Sequence, residues 1–257
     1  MYLTISTLTL ESFLLVVVRS ACFTATAPLF GHKSVNVRLR ILIAICIALS
    51  IFMATDTTLP EYDSVLGYSM LVIKEAVVGL SLGFVASMIM SMLVVAGEFI
   101  DREIGFTMAT NFDMSLNANV TITAELYDKM VYLILLITNL HYYMLKALAQ
   151  SFELVPIGHV NVNYTYMYDT VIGYICQYFS IGFRIAMPIF IGATILNVIL
   201  GVLAKSSPQM NMFAIGMQLK VLAGLAVLSI AIMVVPNIAT YLMERVQDAL
   251  ASLIGGL

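Results

Sequence analysis

Charge is what this sequence lacks most. Of its 257 residues only 11% are Asp, Glu, Lys or Arg, while 61% are hydrophobic and the mean hydropathy is +1.00. A soluble domain carries about 25% charged residues, so this chain has too little polar surface to cover a core in water. Lipid or partner subunits must cover it instead. The twelve Lys and Arg are scattered and the formal net charge is -3, which excludes a basic surface for nucleic acid. Cysteine is scarce as well. Cys22, Cys46 and Cys176 are odd in number and sit in apolar runs, giving neither a disulfide framework nor a CxxC metal pair. The three histidines, His32, His141 and His159, are far apart, and no HExxH or glycine loop before a lysine occurs. These absences lead us to expect no enzyme, no cofactor and no metal.

What is present is a series of apolar segments, six in all, which read as the helices of an all-α polytopic membrane protein. The first covers residues 9–30 and is interrupted by Glu11 and Arg19. No secretory cleavage pattern accompanies it, so it is expected to remain in the mature protein. The second, 41–54, has 14 residues, too few to cross about 30 Å of hydrocarbon unless its flanks or protein neighbours complete it. The third, 76–97, offers 22 uncharged residues and can span. The fourth, 130–145, contains Asn139 and His141. The fifth begins near Thr170, carries Arg184 and a kinking Pro188, and runs uncharged over 185–204. The sixth covers about 212–243, with Lys220 near its start and Pro236 near its end. The polar stretches 98–129 and 146–169 are long enough to do more than connect.

Ionisable groups narrow the mechanism. The deep charges are basic, Arg19, Arg184 and Lys220, whereas the fifteen carboxylates are read as lying in loops or at segment ends. No mid-span acid is then available to carry protons or sodium, which disfavours a secondary transporter. The arginines need counter-charges, some of them expected from partner subunits or the long loops. Glu98, Asp101 and Glu103 around Arg102 read as a solvated, self-paired loop. With the N-terminus outside, Lys33, Arg38, Arg40, Arg102, Lys129 and Lys205 fall in cytoplasmic loops, against Lys74, Lys146 and Arg245 outside. Gly79, Gly83, Ser87 and Ser91 recur every four residues and invite a close helix, from this chain or from another subunit. Gly216, Lys220 and Gly224 repeat the spacing. They place a cation between small surfaces, or Lys220 snorkels toward headgroups.

A family resemblance rests on four motifs in order. Gly97-Glu98-Phe99-Ile100-Asp101, then Gly105-Phe106-Thr107-Met108-Ala109 and Phe112-Asp113, is similar to the central stretch of the FliR family of export-gate subunits. Lys74-Glu75 followed by Gly79 and Gly83, the turn Leu154-Val155-Pro156-Ile157-Gly158, and Pro208-Gln209-Met210-Asn211-Met212-Phe213-Ala214-Ile215-Gly216 with Lys220 and Gly224 resemble its other signatures. One departure is Met114, where the family commonly has proline after the Phe-Asp pair, followed by the polar run 115–123.

The resemblance implies a core subunit of the flagellar type III export gate, resident in the bacterial inner membrane within the flagellar basal body. A single FliR-type domain, 1–257, would have a FliP-like part over about residues 1–170 and a FliQ-like hairpin over 171–257. Its partners would be FliP and FliQ homologues, other export-apparatus membrane proteins, membrane lipid and unfolded exported polypeptides, with no nucleic acid. The loop 105–119 would sit at the gate, with Gly105, Phe106, Thr107, Met108, Ala109, Phe112, Asp113 and Met114 as its plug. Candidates for subunit interfaces are Lys74, Glu75, Gly79, Gly83, Arg184, Pro208, Gln209, Asn211, Phe213, Gly216 and Lys220. The physics of the loop suits a plug, because adaptable methionines and bulky aromatics can block an idle pore and part around a chain. The same side chains would also serve to anchor the loop on neighbouring helices. The equivalent subunit of a virulence secretion system, a scaffold without a pore, and a small-solute permease using Arg184, Pro188 and Asn197 stay open.

Overall fold

The computed structural model describes residues 7–32, 35–55, 62, 64–106, 111–113, 118–160, 164–206 and 212–256. Among them the protein is all-α apart from one short two-stranded ribbon. The helices are α1 (Thr7–Thr26), α2 (Val37–Ala54), α3 (Val65–Met90) and α4 (Met92–Ile104). The ribbon of β1 (Asn111–Asp113) and β2 (Ala118–Val120) follows. Then come α5 (Ile122–Ile137), α6 (Tyr142–Leu154), α7 (Tyr164–Ser206), α8 (Met212–Ala231) and α9 (Val235–Ile254). Five helical stretches are long and apolar enough to cross a membrane, or six if α5 and α6 count as one broken span.

The expected segments are present with different ends, and each difference has a local cause. Asn36 caps α2, its side chain accepting the Arg38 N–H at 3.2 Å, so the short second segment gains a basic first turn and reaches 18 residues, about 27 Å. The third segment starts well before its last charge. Residues 98–104 also continue as helix in α4, which stops where Gly105 takes φ 94, a left-handed cap open to glycine. The fourth segment breaks at residues 138–141, where Asn139 adopts φ 58. The sixth breaks too. Pro236 has no N–H and its ring crowds the carbonyl of Ile232, and a 3-10 turn at Ile232–Val234 separates α8 from α9 there. Pro188, in contrast, lies inside a continuous α7 of 43 residues. Of the basic residues assigned above to loops, all but Lys33, which lies outside the described residues, stand on helices, so they are not loop residues in the sense that the orientation rule counts.

The contacts divide the chain into two compact units. The first comprises Met1–Met90, Leu140–Tyr174 and Met243–Leu257; the second comprises Ser91–Asn139 and Ile175–Leu242. In the first, α1 packs on both α2 and α3, around Leu15, Val16, Phe23, Val78 and Leu82, all buried. Where lipid replaces water, apolar burial alone no longer favours helix pairing, so close approach and polar bonds must do it. Gly79 and Gly83 meet that need. A Cβ at Gly79 would collide with the Arg19 carbonyl, and one at Gly83 with the Thr26 hydroxyl and the Phe23 carbonyl. This glycine face is therefore taken up by α1 of the same chain.

In the second unit α4 lies against α5. Gly97 allows it, because a Cβ there would overlap the backbone of Ala124. Gly224 of α8 similarly receives the side chain of Ile104. The ribbon pairs antiparallel with Asn111 opposite Val120, Phe112 opposite Asn119 and Asp113 opposite Ala118.

Candidate functional site

The loop singled out in the sequence rises from a clamped base. On α4, Leu93, Gly97 and Asp101 recur every four residues and share the buried face with Ile100 and Ile104, while Glu98 and Arg102 are exposed. Asp101 is fully buried. A buried carboxylate is tolerated only with strong partners, and it finds them at the first turn of α5. It accepts the Thr123 backbone N–H at 2.7 Å and the Thr123 hydroxyl. The carboxylate thus serves as a capping acceptor borrowed from another helix, placed where the α5 dipole favours negative charge. Reading residues 98–103 as a solvated loop is corrected by this, because the stretch is helical and Asp101 bonds to Thr123. Sequence reasoning missed Thr123 altogether.

Above the base, Gly105 ends α4 and Phe106 follows, half-buried. Phe112 and Asp113 belong to β1. Thr107, Met108, Ala109 and Met114 lie outside the described residues. The loop thus contains a backbone-paired ribbon whose two ends enter helices joined by the Asp101–Thr123 bonds.

A second constellation, in the first unit, joins two more of the sequence motifs. Arg19 of α1 is fully buried and its Nε donates to Glu75 Oε2 of α3 at 2.6 Å. Its Nη1 donates to the carbonyls of Ser151 at 2.8 Å and Val155 at 3.1 Å, and the guanidinium lies 4.2 Å from the centre of the Phe152 ring. Glu75 Oε1 in turn accepts the N–H of Gly158 at 2.9 Å, a glycine with φ 77. The Lys74-Glu75 motif and the Val155-Pro156-Ile157-Gly158 turn therefore meet on one arginine. Arg19 thus takes its counter-charge from α3 of its own chain. One expectation is corrected here: Glu75 is a carboxylate well inside a helix, because α3 starts at Val65 rather than after the charge. These four hydrogen bonds and the ring contact hold the pair, with Arg19 Nη2 left without a partner among the described residues, and it is a structural lock.

The remaining candidates are dispersed. Lys74 is exposed on α3 beside the buried Glu75. Gly216 is buried against Leu200, and Lys220 is half-buried in a small cleft with Gly192, Ala193 and Gly224. Phe213 is on α8, and Pro208, Gln209 and Asn211 lie outside the described residues. Arg184 is exposed on α7 and lines a cavity of about 420 Å3 with Pro188. Asn197, the third residue of the permease reading, is not among the lining residues. Among the described residues no cluster of three or more His, Cys, Asp or Glu is placed to hold a metal.

Membrane-length apolar helices, an intrachain polar lock and a paired loop on a clamped base define a polytopic helical membrane protein. The family described as Bacterial export proteins, family 1, matches residues 10–246, and on that match the chain belongs to this family, that of the flagellar biosynthetic protein FliR. FliR of Bacillus subtilis (strain 168) is 30% identical, with 93% of this chain and 95% of that protein covered. FliR of Pectobacterium carotovorum subsp. carotovorum is 27% identical over 92% and 90%, and FliR of Escherichia coli (strain K12) is 25% identical over 91% and 88%. The chain is a protein of the bacterial inner membrane, in the flagellar basal body, and its partners are membrane proteins of the export apparatus.

Proposed function

We propose that this chain is a core subunit of the flagellar type III export gate, assembling with FliP and FliQ homologues into the channel through which unfolded flagellar proteins leave the cytoplasm. Its role is transport rather than catalysis. Residues 1–170 form the FliP-like part and 171–257 the FliQ-like hairpin, and the segment 105–119 is the plug of the pore. The observation that carries this reading is the clamped base: Asp101 ties the end of α4 to the start of α5, with a paired ribbon between them. A closure element needs such a fixed root, so that it returns to one place after a polypeptide has passed. Gly105 and the residue type at positions 108 and 114, methionine, which adapts its shape, supply the compliance. Lys74, exposed and charged on α3, is the interface candidate most available to other subunits.

Two measurements test it. Mass spectrometry of the chain purified in mild detergent from its native membrane should recover FliP and FliQ homologues. Deleting 105–119 in that assembly should raise ion permeability in reconstituted vesicles. A tight assembly whose conductance is unchanged by the deletion would leave a scaffold without a plug, and a lone chain that takes up solute would be a permease.

A further inference from the structure

The second unit holds an unanswered charge. Arg184 interrupts an otherwise apolar stretch of α7, and among the described residues it has no acidic partner. It lines the cavity of about 420 Å3 formed with Tyr127 of α5, residues of α8, and Asn237 and Tyr241 of α9. That volume lies in the range of small-molecule sites. Pro188 lines it too and has no N–H to give, so the Arg184 carbonyl lacks its regular helical donor. The rest of the wall is aliphatic, including Ile181, Ile185, Val227 and Ile230, and no carboxylate contributes to it.

An arginine in a membrane-length apolar helix is costly until an anion meets it. The occupant must therefore be anionic at one end, accept from guanidinium, amide and phenol donors, and be apolar along its length. A partner's carboxylate side chain would answer the charge and leave most of the apolar volume empty. A phospholipid answers both, since basic pockets between membrane helices suit acidic headgroups. The geometry points to a site for an anionic phospholipid, its phosphate on the Arg184 guanidinium and an acyl chain along Ile181, Ile185 and Ile230. The inference rests on the membrane placement of α7 and α8 and not on the gate reading.

The test uses the full chain in neutral detergent supplemented with phosphatidylglycerol or phosphatidylcholine, with retained lipid weighed by native mass spectrometry. The expected result is one retained phosphatidylglycerol, favoured about tenfold or more over phosphatidylcholine. Arg184→Gln should bring that ratio close to one, while Lys205→Gln, at the exposed end of α7, leaves it unchanged. If Arg184→Gln does not fold, Ile230→Trp, which fills the cavity, should expel lipid of either kind. Equal retention of the two lipids by the unsubstituted chain would overturn the site. So would a preference that survives Arg184→Gln, or cross-linking of Arg184→Cys to a neighbouring subunit in the native complex with no lipid retained.

Discussion

The α1–α3 pair and the α7 helix solve the same solvent problem in opposite ways. In an 18-residue apolar window of Val65–Ile104, 56% of residues are buried within the chain, against 11% in one of Tyr168–Leu203. The first pair closes on itself, using glycines for close approach and an arginine–glutamate lock for cohesion. On α7, Phe179, Phe183, Ile191, Ile195 and Val198 face outward, and its arginine has no carboxylate among the described residues. Self-sufficiency in one place and bare surface in another is the pattern of a subunit, because apolar area left open on a folded chain is area for lipid or a neighbour.

Breaking the lock should have the largest effect on this contrast. Arg19→Met leaves Glu75 buried and unpaired, a loss of about 3–5 kcal/mol, visible as a lower unfolding temperature in detergent. The double change Arg19→Met with Glu75→Met should restore most of it, since an apolar pair of similar size removes both desolvation costs. If the double variant is no better than the single, the lock's value lies in its bonds to Ser151, Val155 and Gly158 instead.

Gly83→Leu comes next. With Thr26 and Phe23 in the way, overpacking should cost about 1–3 kcal/mol and separate α1 from α3, measured by cysteine cross-linking between the two helices. An effect of similar size, about 1–3 kcal/mol, is expected for Asp101→Ala, which strips the Thr123 N–H of its acceptor. Hydrogen exchange at the first turn of α5 should quicken, with α1 and α3 unaffected. The smallest effect sharpens the comparison from the other side. Ile191→Ser on the bare face of α7 should move the stability of the isolated chain by no more than about 0.5 kcal/mol while lowering recovery of the assembly. A large loss in the isolated chain would show that this face is covered internally.

The helical, membrane-spanning character was legible because it rests on composition and run length, which need no tertiary information. The lock and the clamp were not, because runs were ended at charges, which moved Glu75 and Asp101 outside their helices on paper. The signal was nonetheless present. Glu75, Gly79 and Gly83 continue one four-residue spacing, as do Leu93, Gly97 and Asp101. A carboxylate one turn from a close-approach glycine shares its buried face, and must find donors there. Which donors, Thr123 for one and Arg19 with Gly158 for the other, depends on separations of 22, 56 and 83 residues that no local pattern encodes.

The clamp also says something about how tolerant the segment above it is to change. Asp101 and Thr123 bring together positions 22 residues apart, so the ends of the excursion are fixed by helices and not by the excursion's own sequence. Ring-closure entropy grows only logarithmically, and doubling a flexible loop costs about 0.6 kcal/mol. With its ends anchored, the stretch between them is open to insertions, deletions and exchanged residues at small energetic cost to the membrane helices. The excursion between the two helices is thereby released to vary in length and chemistry while the part that meets lipid stays the same.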